Sequence, residues 1–140
     1  MTILFTFFTS TIAAVMSEGL RRSLQATPRP SGAYVSNDPE ASGQLTFNAG
    51  TFDMNIMVLG CHIAVQGLQY TPVFVEEVDY DIQVTYGGTD LAQKVAACNN
   101  PRIVIDDFDT LYFFYDPSTD TNAIEMHSTT EEWDGRFEHD

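Results

Sequence analysis

From Tyr80 to Tyr86 the chain alternates Tyr80, Ile82, Val84 and Tyr86 with Asp81, Gln83 and Thr85. A period of two throws successive side chains to opposite faces of an extended backbone, so this segment is a strand with one dry and one wet face. A blurred version of the same pattern sets Phe52, Met54, Ile56 and Val58 against Asp53, Asn55 and Met57. Further extended candidates are residues 33–36, 44–48, 61–66, 69–75, 102–106, 110–115 and 122–127, with Pro72 marking an edge or a bulge because it has no amide hydrogen to donate. Turn-forming residues separate them at Asn48-Ala49-Gly50, Tyr86-Gly87-Gly88, Asn99-Asn100-Pro101 and Asp116 to Asp120. Only residues 89–97 favour helix, through Leu91, Ala92, Gln93, Lys94, Ala96 and Ala97, with Thr89 placed to cap the first turn. The expectation is an all-β, mostly antiparallel fold of about eight short strands with one short helix. Its form is a small barrel or a sandwich, since both shelter strand edges that would otherwise aggregate.

The 140 residues, 44% of them hydrophobic, suit one globular domain. The uncharged run from Met54 to Val75 has the length of a membrane span, about 20 residues, but Asn55, His62, Gln66, Gln69 and Pro72 interrupt it. From Ser31 onward the chain carries 3 basic and 19 acidic residues, a net charge of -16. Neutralising nucleic-acid phosphates needs a basic surface, so that class of partner is excluded.

Residues 2–17 carry no charge, and Ile3 to Val15 supply an apolar stretch of secretory length, followed by small residues where a signal peptidase cuts. Residues 1–17 therefore read as a signal peptide, although no Lys or Arg precedes the apolar core. An uncleaved interfacial anchor or a buried first element is the alternative. Residues 18–32, with Arg21, Arg22, Arg29, Pro28 and Pro30, read as a linker, and residues 33–140 as a single β-rich domain.

Behind a signal peptide, Cys61 and Cys98 are the chain's two cysteines in an oxidising compartment, and a disulfide between them is the default. Closing that loop is worth about 3 to 4 kcal/mol in the chain-entropy model. A catalytic Cys61–His62 couple is disfavoured, because adjacent strand residues point to opposite faces. His62, His127 and His139 are scattered without zinc-site spacing, so no transition-metal site is expected. Carboxylates do cluster, at Glu76, Glu77, Asp79 and Asp81, at Asp106, Asp107 and Asp109, and at Asp116 and Asp120 around Ser118. Asp116-x-Ser118-x-Asp120 lacks the glycine and the distal glutamate of an EF-hand loop, so a hairpin turn explains it more simply than calcium. Trp133 and Phe137, four apart, fall on one face if the C-terminus is helical, and core closure by these aromatics is preferred to a partner-binding tail.

Leu45-Thr46-Phe47, Gly60-Cys61-His62, Gly67-Leu68-Gln69-Tyr70 and Lys94-Val95-Ala96-Ala97-Cys98 together resemble the META/HslJ domain, over roughly residues 42–115. His62 stands where that family has Asn, and an extra residue separates Gly67 from Tyr70. The resemblance implies a small mostly-β fold with a helix, in secreted or envelope-associated proteins linked to stress resistance or virulence. It implies no catalytic centre, and carries over only Gly60, Cys61 and Cys98, as structural residues.

The leading functional expectation is a secreted, extracellular or periplasmic, non-enzymatic domain without cofactor. It acts by binding a protein partner through its surface or by self-assembly, its charge attracting cationic partners over a Debye length of about 8 Å. A lipocalin-like small-ligand carrier is the alternative, and it needs an internal cavity of about 300 to 1,000 Å³. Phe47, Phe52, Tyr70, Phe74, Tyr80, Tyr86 and Tyr112 to Tyr115 argue against such a space. The third possibility is a hydrolase pairing Glu76 or Glu77 with Asp106 or Asp107, which requires carboxylates about 5 to 9.5 Å apart across a cleft.

Overall fold

The computed structural model describes residues 29–75 and 79–140. The expected signal peptide and most of the linker lie outside the described residues, as do Glu76 and Glu77. Eight strands follow in order: β1 (Gly32–Asn37), β2 (Ala41–Phe47), β3 (Thr51–Val58), β4 (Cys61–Phe74), β5 (Tyr80–Thr85), β6 (Thr110–Asp116), β7 (Thr121–His127) and β8 (Asp134–His139). Each pairs antiparallel with the next, and β8 returns to β1, so the sheet closes as an up-and-down barrel rather than a sandwich. Closure removes the two outer edges that an open sheet of this length would expose.

The alternation seen in the sequence fills the barrel. Tyr80 and Ile82 on β5 point inward with Leu111 and Phe113 on β6, and all four are buried, while Asp81 and Gln83 face out. Met54, Ile56, Ile63, Leu68, Ile124 and Phe137 meet them in the same core. A glycine on β2 is enforced by contact: a Cβ at Gly43 would stand 2.3 Å from the Asn55 carbonyl oxygen.

β4 is one 14-residue strand where the sequence pattern gives two, at residues 61–66 and 69–75. The interruption at Gly67 is a bulge. Phe52 pairs with Leu68 and Met54 with Val65, so Gln66 and Gly67 together oppose Asp53. Gly67 adopts φ +70°, a left-handed conformation that a Cβ disfavours, and its amide donates to the Asp53 carboxylate at 2.9 Å. The bulge hands the strand from one neighbour to the other. β3 pairs with β4 as far as Gln69, and β5 pairs with it from Gln69 to Phe74.

Among the described residues there is one α-helix, α1 (Leu91–Ala97), two residues shorter at its start than residues 89–97. Thr89 stands one residue before the N-cap, Asp90, and its hydroxyl accepts from the Leu91 amide at 3.4 Å. α1 buries Leu91 and Val95, and its Lys94 ammonium donates to the Ala64 carbonyl on the part of β4 that β5 does not reach. Cys98, just past the helix, stands at disulfide distance from Cys61 at the start of β4, with Cα atoms 5.8 Å apart.

One expectation is corrected. Residues 102–106 do not form a strand; a 3-10 turn covers Ile105–Phe108 instead. Asp107 drives this choice, because its carboxylate accepts from the Val104 amide at 2.8 Å and caps the turn. The C-terminal segment, where a helix would also have aligned Trp133 with Phe137, is strand β8 with Trp133 just before it. A spacing of four satisfies a period of two as well, so Trp133, Gly135 and Phe137 all face inward and are buried. The indole of Trp133 donates to the Arg102 carbonyl at 3.1 Å.

Candidate functional site

The two ends of the barrel differ. At the end where β4 and α1 meet, the Cys61–Cys98 pair, α1 and the 3-10 turn close the core. At the other end the rim is aromatic. Phe47 stacks on Phe52 with ring centres 4.8 Å apart, Tyr34 and Tyr70 meet Phe47 edge-on at 5.6 and 5.3 Å, and Tyr80 stacks on Phe113 at 4.7 Å. Ser31 crosses above: its amide donates to the Tyr34 hydroxyl at 3.3 Å, and the His139 imidazole sits 2.9 Å from its carbonyl oxygen. Burial pushes the Tyr34 phenol up to about 12, and burial also raises Tyr70 and Tyr80. The three hydroxyls are close enough for the charge of one to oppose ionisation of the next.

Side chains stopper this rim. An open groove of about 550 Å³ lies at this end of the barrel, lined by Phe114, Ala123, Arg136, Glu138, Asp79 and Asp116. Not every expected core aromatic is inside. Phe74 is 56% exposed, and Tyr112 and Phe114 alternate with the buried Leu111 and Phe113 on the opposite, outer face of β6.

Among the described residues the carboxylates do not converge on one cleft, and Glu76 and Glu77 lie outside them. Asp107 is buried, and its oxygens accept from the amides of Val104 and Thr129 and from the Thr129 hydroxyl, each at 2.8 Å. Asp106 and Asp107 precede β6, whereas Asp79 accepts from the Tyr115 amide at its far end, at 3.3 Å. A strand of that length separates them by about 20 Å. Asp116 accepts the Ser118 hydroxyl at 2.6 Å and the Ser118 amide at 3.0 Å, which hold its carboxyl below the usual range, while Asp120 accepts from the Tyr115 hydroxyl at 2.8 Å. This is the β6–β7 hairpin turn, and no group of three metal-ligating side chains occurs among the described residues. His62 faces Asn55 at 2.6 Å, apart from the sulfur of Cys61.

Three of the described cations are already engaged. Lys94 pairs with Asp90 at 3.4 Å, Arg102 with Glu132 at 2.9 Å, and Arg136 with Glu125 and Glu138. His127 lies between Glu125 and Asp134, at 3.2 and 3.0 Å. Asp79, Asp81, Asp106, Asp109 and Asp116 have no ion pair among the described residues.

A surface that the sequence pattern did not flag is the last stretch of β4. Beyond the Tyr70 amide, which donates to Gly50 at 3.2 Å, no described strand pairs with the β3 side of residues 71–74. Val73, Phe74 and Val75 are 39%, 56% and 61% exposed there. The Pro72 that marks an edge in the sequence lies on this open stretch.

Among the described residues no helix is long and apolar enough to cross a membrane. Comparison with family models, with curated proteins and with solved structures finds no match.

Proposed function

We propose that the barrel is a non-enzymatic, secreted or envelope-associated binding domain whose partner is a cationic protein. One observation carries the reading: Lys94, Arg102 and Arg136 are each committed to carboxylates of this chain, while Asp79, Asp81, Asp106, Asp109 and Asp116 form no ion pair among the described residues. An incoming basic surface thus meets unneutralised charge without first displacing an internal pair. The cysteines at bonding distance support an oxidising compartment, extracellular or periplasmic. They are also the residues that a relationship to META/HslJ domains would retain, and that relationship belongs to the same proposal.

Titrating the full chain with poly-L-lysine at low and at high salt tests the electrostatic part, and affinity capture from its extracellular medium seeks the partner. Binding at low salt that weakens steeply as salt is added is the expected result. No complex at low salt overturns the reading.

A further inference from the structure

We infer that the partner docks on the open edge of β4 at residues 72–75, as an extended segment that alternates basic and apolar residues. The inference rests on the cationic-partner reading and locates it.

Main-chain groups alternate sides along a strand. The Tyr70 amide points towards β3 and the Val75 amide towards β5, where it donates to Asp79 at 3.3 Å. Pro72 and Phe74 therefore turn their main-chain groups to the open side. Pro72 has no amide hydrogen, so the edge offers the carbonyls of Pro72 and Phe74 and only the Phe74 N–H. Acceptors outnumber donors.

The side chains add two kinds of contact. Phe74 packs on Tyr80 with ring centres 5.3 Å apart yet keeps more than half of its surface exposed, and Val73 and Val75 flank it. Asp81 is in register with Val73 across the β4–β5 ladder. An added strand would lie about 10 Å from β5, a span that a lysine or arginine side chain laid over Val73 bridges to reach Asp81. Strand addition with alternating pockets is a known mode of peptide capture. A second copy of this chain fits worse, because it would bring two acidic rims together and set one proline edge against another.

The test uses the full chain and a labelled nine-residue peptide of alternating lysine and valine, with an oligolysine of equal charge alongside. The variant Phe74→Ser with Val75→Ser alters the two most exposed side chains of this edge, and unchanged Trp133 emission verifies its fold. The wild-type chain is expected to bind the alternating peptide about tenfold more tightly than the variant does. Binding is also expected to slow hydrogen exchange at the Phe74 amide, with oligolysine binding equal for both proteins. Equal affinity of the alternating peptide for both chains, or a Phe74 amide that binding leaves unprotected, overturns the docking site while sparing the cationic-partner reading. Failure of both peptides to bind at low salt overturns that reading itself. Concentration-dependent dimerisation that the double variant abolishes assigns the edge to a second copy and also overturns the inference.

Discussion

Oδ1 of Asp107 accepts both the main-chain amide and the hydroxyl of Thr129, each at 2.8 Å. Its other oxygen takes the Val104 amide, so one buried carboxylate joins the 3-10 turn to the β7–β8 connection. Asp107→Ala leaves three donors without their acceptor, and the expected loss is about 2 to 4 kcal/mol. Asp107→Asn retains one acceptor oxygen and is expected to lose less. Urea unfolding followed by the emission of Trp133 measures both, and an unshifted midpoint for the alanine variant would remove the joining role.

Gly67→Ala places a Cβ on a residue at φ +70° and is expected to cost about 1 to 2 kcal/mol. Gly87 is the control. It has an ordinary backbone conformation with nothing within 4 Å of an added Cβ, and Gly87→Ala is expected to stay within about 0.5 kcal/mol of wild type. Equal midpoints for the two variants would contradict the bulge geometry.

These two glycines show what the sequence made legible. The strand at Tyr80 was readable because its inner face is core and its outer face is water, which imposes alternation. The hairpin at Asp116 was readable because Asp-Pro-Ser has turn chemistry of its own. The bulge was not, since a glycine between two apolar runs marks a break and a continuous bulged strand equally well. Ile103, Val104 and Ile105 look extended because an apolar run carries no period, whereas the Asp107 carboxylate, held by the Thr129 amide, caps the Val104 amide and sets the turn. At the candidate site the acidity and the edge proline were visible. The uncovered Val73 to Val75 was not, because exposure there depends on where β3 stops, which is set by pairing across the sheet.

Alkaline pH should destabilise the barrel through its rim tyrosines. Unfolded, Tyr34 ionises near 10.0, whereas burial raises it to about 12 in the folded chain, and Tyr70 and Tyr80 rise for the same first reason. The folded state keeps protons that the unfolded state has released, so the tyrosine contribution is intact below pH about 10 and is lost as pH climbs towards about 12. Phenolate absorbance during a pH titration is expected to show these three residues ionising late, with unfolding. Ionisation of all six tyrosines together near pH 10, before loss of structure, would show the rim to be open.

Replacing both cysteines, Cys61→Ser with Cys98→Ser, is expected to remove about 3 to 4 kcal/mol, given their separation of 37 positions. Non-reducing peptide mapping should recover the two residues in one crosslinked fragment. Recovery of both as free thiols, or no change in unfolding midpoint on reduction, would refute the bridge.

The barrel is not equally strong around its circumference. Where β1 meets β8 only Tyr34–His139 and Val35–Glu138 stand in register, helped by the Asp140 amide donating to Ala33 at 2.9 Å, and this is the shortest of the eight ladders. It is also the one ladder that joins strands from opposite ends of the domain, so the longest loop must close before it can form. The seam therefore zips last and breathes first. A cut there frees the outer side of β1 while its ladder to β2 stays whole.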